Sequence, residues 1–357
     1  MKCWNDCSID RYFIVDIKLQ ILDIATLEKY DIQKMYKTYD KWPKIARESF
    51  ESNQKPINFD NIDHIVFAGM GGSGAIGDIF ASILSKTDIH VNIVKGYLLP
   101  PTVDSNTLVI PVSVSGNTTE TLSVLKEAYK EKSQIIAFSS GGKMLDYCTK
   151  NKIDHRLVPQ YHSPRSSFTS YLYTILKVLH SFLDIKYQDI LESITELEKT
   201  CKKINSSNLT ENNSALNLAK WIKDIPMIYY PFGLQPVAIR FKNSLQENCK
   251  IHAIAEDVIE ACHNGIVSWE VESNVKPILI QGMNDYVKTK ERWRVLKEYF
   301  KENKINFYEV NSIEGSILTK IINLSYLLDY ATLYFSVLSK RDPTPVKSID
   351  KIKNSIN

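Results

Sequence analysis

The sequence predicts an α/β protein of two consecutive domains, each built on an open, doubly wound parallel sheet. Apolar segments of strand length alternate with segments of helical spacing, a pattern typical of parallel sheets covered by helices. The alternation runs through two blocks, which the polar segment 205–213 separates. A chain of 357 residues is long enough for two such cores.

Composition excludes several classes of function. The 44 basic and 41 acidic residues leave a formal net charge of only +3, so no nucleic-acid partner is expected. The six cysteines, at positions 3, 7, 148, 201, 249 and 262, form no paired zinc spacing and no compact disulfide framework. We interpret them as reduced thiols of a cytoplasmic protein without a bound metal.

No membrane segment is predicted. Residues 1–16 contain acidic side chains and no long apolar core, unlike a signal peptide. The most apolar long segment, 317–338, is interrupted by Lys320 and Asp329. These charges favour a buried helix over a membrane span.

Residues 1–52 are predicted to form an extension and a helical arm before the first domain. Residues 1–20 carry no clear pattern, whereas 27–52 have the apolar spacing of one or two helices. The strands of the first block follow, at 64–68, 90–94, 108–112, 134–138 and, as a short fifth, near 155–158.

The first strand runs directly into a glycine-rich turn, residues 69–78. The turn contains a G-x-G-x-x-G pattern, which is a dinucleotide-binding fingerprint when it lies between a strand and a helix. A nicotinamide cofactor also needs an acidic residue near the end of the second strand, where Lys95 stands instead. We therefore expect no such cofactor, and we interpret the glycines and Ser73 as a close approach to another ligand.

The third strand ends in a hydroxyl-rich loop, residues 113–121, which opens a helix. The free N–H groups and positive dipole of a helix start bind anions, and Ser113, Ser115 and Thr118 add short neutral donors. An ordinary helix cap would also use such residues. Because the glycine-rich turn should meet this loop at the same sheet edge, the sequence favours a site for one small phosphate.

The first block ends with two helices. Pro164 is predicted to begin a long amphipathic helix through residues 171–179, with Arg165 in its first turn. An arginine is not stabilised by the dipole there, so it needs an anionic partner, either a ligand or a surface carboxylate. A second helix covers 190–204.

The second block repeats the α/β pattern without a glycine-rich phosphate loop. Its helix at 237–248 carries Glu247. Its strands are predicted at 226–230, 250–253, 277–280 and 305–310. The second domain should therefore contribute chemistry other than phosphate binding.

These motifs resemble a known family. The glycine-rich turn and the Ser-x-Ser-Gly-Asn-Thr-x-Glu-Thr sequence at 113–121 resemble a sugar isomerase (SIS) domain. Pro164-Arg165, Glu247-Asn248 and His263-Asn264 resemble the archaeal-type bifunctional phosphoglucose/phosphomannose isomerases. The resemblance implies an SIS domain at 53–205, another at 206–341, and a helical C-terminal tail at 342–357.

The resemblance also implies a reaction. The enzyme would interconvert glucose 6-phosphate and mannose 6-phosphate with fructose 6-phosphate through an enediol, without metal or other cofactor. Glu247 would be the base, and His263 of a neighbouring subunit would open the sugar ring with Lys353 (Lys351 being the other candidate). The substrate-binding residues would be Gly72, Ser73, Ser113, Ser115, Thr118 and Arg165. The partners would be small sugar phosphates and a second copy of the chain, in a homodimer with shared active sites.

Some positions depart from the family pattern. Val114 stands where an aromatic residue is common, Ser166 and Ser167 replace alanines, and Gly265 replaces an acid. These changes leave the sugar preference open. The alternative function is a non-catalytic SIS module that binds a sugar phosphate and regulates a partner. Such a module would need neither Glu247 nor His263, so their joint presence favours the enzyme.

Overall fold

The computed structural model describes residues 21–356 of the chain. The predicted extension over residues 1–20, with Cys3 and Cys7, lies outside the described residues.

The first sheet has five parallel strands in the order β2-β1-β3-β4-β5. These strands are β1 His64–Ala68, β2 His90–Val94, β3 Thr107–Ser113, β4 Gln134–Ser139 and β5 Asp154–Leu157. The chain places β2 on one side of β1 and β3 on the other. This reversal is a topological switch point, so the loops after β1 and β3 flank one crevice at the carboxyl edge of the sheet.

Helices connect these strands and continue from the sheet. They are α4 Gly71–Leu84, α5 Thr119–Lys130, α6 Gly142–Asn151, α7 Phe168–Leu179 and α8 Tyr187–Ile204. The central strands β1 and β3 are buried along their whole length because helices cover both faces.

The second sheet has four parallel strands in the order β7-β6-β8-β9, which repeats the order of the first four strands of sheet one. These strands are β6 Ile225–Tyr230, β7 Ile254–Asp257, β8 Val275–Gln281 and β9 Tyr308–Asn311. Its helices are α9 Ser214–Trp221, α10 Gln235–Ser244, α11 Val258–Ala261, α12 Val287–Glu302, α13 Ile317–Leu338 and α14 Lys347–Ile356. A π-helical turn, Leu245–Cys249, extends α10, and a 3₁₀ helix, Gly265–Glu270, follows α11. Two doubly wound α/β units are thus confirmed.

Three element boundaries were predicted wrongly, and the simplest case is the last strand, which was expected at 305–310 and begins only at Tyr308. The strand expected at 250–253 is a loop, and β7 lies at Ile254–Asp257, because Lys250 adopts a left-handed conformation (φ 58°) that ends the π-helical turn. The helix expected from Pro164 begins at Phe168. Serine hydroxyls around 163–167 bond the local backbone instead and hold a separate turn that contains Arg165.

The N-terminal arm is part of the core. It forms three short helices where one or two were predicted: α1 Ile24–Tyr30, α2 Met35–Asp40 and α3 Trp42–Phe50. The Tyr326 hydroxyl of α13 donates to the Tyr39 carbonyl at 2.8 Å, and Trp42 Nε1 donates to the Ser166 carbonyl at 2.8 Å. The arm therefore holds the residue that follows Arg165.

Helix α13 is long and apolar enough to cross a membrane by composition alone, but 94% of its most apolar window is buried inside the chain. It packs between the two halves of the molecule, as the buried helix that the sequence favoured. Its Asp329 forms a buried ion pair with Arg240 Nη2 at 2.6 Å and accepts from the Ser244 hydroxyl at 2.8 Å.

The Arg240 guanidinium has further partners. It lies 3.8 Å from the ring centroid of Phe168, and Nη2 donates to the Arg165 carbonyl at 3.0 Å. Burial raises the pKa of Asp329, and the adjacent guanidinium opposes that rise. A buried ion pair with these extra bonds fixes α10, α13 and the Arg165 turn relative to one another.

We expect Arg240→Met to lower the free energy of unfolding by about 3–5 kcal/mol, since it leaves the Asp329 carboxylate buried and unpaired. Urea denaturation followed by circular dichroism measures the change. Arg294→Met is the matched control, because Arg294 pairs with Glu298 on an exposed face of α12. It should change the free energy by less than about 0.5 kcal/mol. A small effect of Arg240→Met would contradict the structural role of this pair.

Candidate active site

The turn after β1 brings two backbones into close contact. A Cβ atom on Gly69 would lie 2.9 Å from the Val112 carbonyl oxygen of β3, so no larger residue fits there without a shift. Helix α4 begins two residues later, and no side chain of residues 21–356 caps its first turn. Gly72 and Ser73 lie in that turn. The Ser73 N–H donates to the Met70 carbonyl at 3.0 Å, whereas the first N–H groups of a helix are free to bind an anion, which leaves that of Gly72.

The hydroxyl-rich loop after β3 follows the pattern expected from its sequence. The Ser113 and Thr118 hydroxyls are hydrogen-bonded to each other at 2.9 Å, and the Ser115 hydroxyl accepts from the Asn117 N–H at 3.2 Å. Thr118 is the extended residue that precedes α5. The three hydroxyls predicted to bind phosphate thus lie on one short loop at the start of a helix.

The loop after β4 braces this hydroxyl loop. Ser140 donates its hydroxyl to the Val114 carbonyl at 2.7 Å, and the Met144 N–H donates to the Gly116 carbonyl at 2.9 Å. Asn117 Oδ1 accepts from the Lys143 N–H at 3.1 Å at the start of α6. Asn117 therefore connects two loops, and the hydroxyl loop is preorganised before any ligand binds.

Arg165 joins the two halves of the site. Its Nη1 donates to Glu247 Oε2 at 3.2 Å, and its Nε donates to Asn248 Oδ1 at 2.8 Å. Its Nη2 donates to the carbonyls of Pro343 and Thr344 at 2.8 and 2.9 Å. Only 7% of Arg165 is exposed. Its anionic partner within the chain is therefore Glu247, a residue of the second α/β unit.

Glu247 lies at the edge of an open cavity. The π-helical turn that carries it is a local widening of the helix, a feature common at functional sites. The cavity has a volume of about 600 Å³. Its lining combines the turn after β1, the end of α10 and the start of α14: Gly71, Asn243, Gln246, Glu247, Lys250, Pro345, Val346, Lys347, Ser348 and Ile349. The cavity therefore has room for a hexose phosphate beside Glu247.

The other predicted site residues lie elsewhere on the same chain. His263 is exposed after α11, and Lys353 is exposed on α14. Within residues 21–356, neither lines the cavity that contains Glu247. Sequence reasoning overlooked Lys250, which does line it. Its position just after the helix that carries Glu247 was the available signal. No group of three or more His, Cys, Asp or Glu side chains in the described part of the chain is arranged to hold a metal ion.

Comparison with protein families identifies both halves of the chain. The model described as an SIS domain matches residues 59–182. The model described as the bacterial phospho-glucose isomerase C-terminal SIS domain matches residues 211–356. The fold and the site thus define an SIS-domain isomerase.

Individual relatives indicate which family of SIS-domain isomerases the chain belongs to. A bifunctional phosphoglucose/phosphomannose isomerase of Caldicellulosiruptor bescii is 30% identical over 338 residues, which cover 90% of this chain and 98% of the relative. The chain belongs to this family of bifunctional isomerases. A D-glucosamine-6-phosphate 4-epimerase of Sulfolobus acidocaldarius is 29% identical over 65% of this chain and 72% of that protein.

A solved structure supports the fold independently. A hypothetical protein of Thermus thermophilus superposes with a TM-score of 0.68 over 97% of this chain and 91% of its own, at 13% sequence identity. At this identity the likeness concerns the fold alone.

We expect Gly116→Ala to disrupt the hydroxyl loop. Gly116 has φ +67°, and a Cβ atom there would overlap the Gly141 carbonyl oxygen. The left-handed conformation alone costs about 1–2 kcal/mol for a residue other than glycine. The free energy of unfolding should fall by more than this amount, and the affinity for inorganic phosphate, measured by calorimetry, should fall at least about tenfold.

Gly96→Ala is the matched control, because no atom lies within 4 Å of its ideal Cβ position. It should leave the affinity for phosphate unchanged. Equal behaviour of the two variants would show that the hydroxyl loop is not a phosphate site.

Proposed function

We propose that this protein interconverts glucose 6-phosphate and mannose 6-phosphate with fructose 6-phosphate without a metal ion. The observation that carries the proposal is the bond between Arg165 and Glu247. The bond joins a carboxylate of the second α/β unit to an arginine of the first, and Gly71 of the glycine-rich turn lines the same cavity as Glu247, which supports a shared site. The bifunctional relative supports the choice of substrates.

The phosphate group of the substrate would bind at the carboxyl edge of the first sheet. Gly72 offers a free N–H group in the first turn of α4, and Ser73 offers its hydroxyl, since its N–H already donates to the Met70 carbonyl at 3.0 Å. The hydroxyls of Ser113, Ser115 and Thr118 offer further donors. Neutral donors of this kind bind a phosphate and release it readily, which suits a substrate that must leave after each turnover.

Glu247 would move the proton between the two carbons. Its carboxylate removes the proton from C2 of the open-chain aldose, the electron pair of that bond forms the C1=C2 double bond, and O1 gains a proton. The resulting enediol is common to glucose and mannose phosphates. Glu247 then delivers its proton to C1 while the O2 proton leaves, which gives the ketose. Arg165 would orient the carboxylate and stabilise negative charge on the enediol oxygens.

Ring opening would need groups from a second chain. His263 is exposed and lies outside the Glu247 cavity of its own chain, which supports its supply by a neighbouring subunit. Lys353 of the exposed helix α14 would act with it. We therefore propose a homodimer that completes both active sites, with substrate-binding and catalytic domains at 53–205 and 206–341 and a tail at 342–357. The free cysteines Cys148, Cys201, Cys249 and Cys262 support a reducing, cytoplasmic setting.

The epimerase relative suggests a second reaction of the same substrate class. Epimerisation at C4 would need chemistry at the far side of the sugar ring. In our proposal, the Glu247 carboxylate instead transfers a proton between C1 and C2, next to the carbonyl carbon. A product analysis that separates fructose 6-phosphate from C4 epimers distinguishes the two reactions.

We expect Glu247→Gln to lower kcat by about 10²- to 10⁴-fold while the fold is retained, because the amide cannot accept the C2 proton. A coupled assay with fructose 6-phosphate, in the presence of EDTA, measures glucose 6-phosphate and mannose 6-phosphate. The exchange of substrate hydrogen with deuterated water should be lost in parallel. Glu298→Gln, on the exposed face of α12, is the control. Full activity of Glu247→Gln would show that Glu247 is not the base.

We expect the inactive variants Glu247→Gln and His263→Ala to restore activity when they are mixed and refolded together. In a mixed dimer, one site combines the intact Glu247 of one chain with the intact His263 of the other. Random pairing should give about a quarter of the wild-type activity. If the mixture stays inactive although mixed dimers are detected by mass spectrometry, the two residues do not act across the interface.

A further inference from the structure

A short irregular segment, Arg341 to Thr344, is held by side chains along its whole backbone. We call these four residues the strap. The Arg341 carbonyl accepts from the Ser336 hydroxyl at 3.0 Å. The Asp342 carbonyl accepts from Lys250 Nζ at 2.8 Å. The Pro343 carbonyl accepts from both Lys250 Nζ and Arg165 Nη2, and the Thr344 carbonyl accepts from Arg165 Nη2.

Four consecutive side-chain-bonded carbonyls are unusual for a loop, since loop carbonyls mostly face water. Two of the donors are cations, and hydrogen bonds from charged groups are stronger than neutral ones. The strap also donates a hydrogen bond of its own: Arg341 Nη1 donates to the Cys249 carbonyl at 2.8 Å. The strap is therefore connected to the π-helical turn that carries Glu247 directly at Arg341, and at Thr344 through Arg165, which bonds Glu247 and Asn248.

The Lys250 ammonium uses all its donors to bond backbone carbonyls. It has three donor hydrogens, and its three acceptors are the carbonyls of Asn248, Asp342 and Pro343 at 3.1, 2.8 and 3.1 Å. Burial, and then the nearby Arg165 guanidinium, lowers the pKa of this ammonium. The carbonyl partners stabilise the charged form that burial disfavours. A lysine whose donors all bond backbone has none left for a substrate.

The strap leads directly into the cavity wall. Pro345, Val346 and the first turn of α14 line the same cavity as Glu247. The side chains at 347–355 of α14 are mostly exposed, so this helix depends on its N-terminal connection for its position. That connection is the strap.

We propose that Lys250 is a positioning residue, which fixes the strap together with Arg165 and thereby sets the position of the cavity wall formed by residues 345–349. This proposal depends on the proposed function in one respect: it takes this cavity as the site that binds the substrate. Arg165 bonds both the strap and the Glu247 carboxylate, and it also bonds Asn248, so the orientation of that carboxylate depends on Arg165 and not on the Lys250 ammonium.

The test compares Lys250→Met with Lys304→Met. Methionine keeps an unbranched stem and removes the ammonium. Lys304 is the matched control, because it also follows a helix, is exposed and has a left-handed backbone (φ 55° against 58° for Lys250). The first measurement is steady-state kinetics with fructose 6-phosphate. The second is the rate of trypsin cleavage after Lys340, Arg341 and Lys347, which mass spectrometry follows. Thermal denaturation first shows that each variant is folded.

For Lys250→Met we expect KM to rise about fivefold or more with kcat within about threefold of the wild type, since the cavity wall binds substrate but does not react. Cleavage after Lys340, Arg341 and Lys347 should accelerate at least about fivefold, while cleavage at the other sites that both proteins share is unchanged. Lys250→Arg, which can still donate to the carbonyls, should recover most of both properties. Lys304→Met should match the wild type.

Unchanged KM together with unchanged cleavage at the strap would overturn the proposal. A fall in kcat of more than about a hundredfold with unchanged KM would also overturn it, since Lys250 would then act on the transition state. If the wild type shows no turnover of hexose 6-phosphates, the proposed function fails on its own. The cleavage rates then decide the role of Lys250, because they need no substrate.

Discussion

The site depends on the hydrogen bonds of the Arg165 guanidinium. This side chain is buried, and a buried guanidinium is tolerated only when hydrogen-bond acceptors surround it. The first α/β unit supplies the arginine, whereas the second supplies Glu247 and Asn248, and the C-terminal segment supplies two carbonyls. Arg240 and Trp42 hold the backbone of the same turn from the core. One side chain therefore keeps the Glu247 carboxylate, the turn at 163–167 and the C-terminal segment in a single arrangement.

The two sheets share a strand order, yet they differ in what they bring to the site. Sheet one ends in loops shaped by glycines and hydroxyls, which carry neutral hydrogen-bond donors. Sheet two contributes a carboxylate from a π-helical turn that extends α10. In the proposed reaction, phosphate binding and proton transfer would therefore fall to different α/β units, which the bond between Arg165 and Glu247 connects.

The sequence alone determined the features that depend on local pattern. Buried parallel strands, the glycine-rich turn, the hydroxyl loop and the buried character of 317–338 each follow from residues near in the chain, because strand burial and helix starts are set by neighbouring side chains. The family resemblance added the proposed roles of Glu247 and His263, which local pattern leaves open. The left-handed Lys250 and the serine-bonded turn around Arg165 moved two boundaries that periodicity could not locate.

The tertiary structure decided everything that depends on distant partners. It resolved the partner of Arg165 as Glu247, 82 residues away, and it showed that the strap is bonded by side chains from three separate parts of the chain. It also placed His263 and Lys353 outside the cavity of their own chain, within the described residues. Backbone carbonyls carry no signature in the sequence, so the role of Lys250 is visible only once the fold brings its ammonium to the strap.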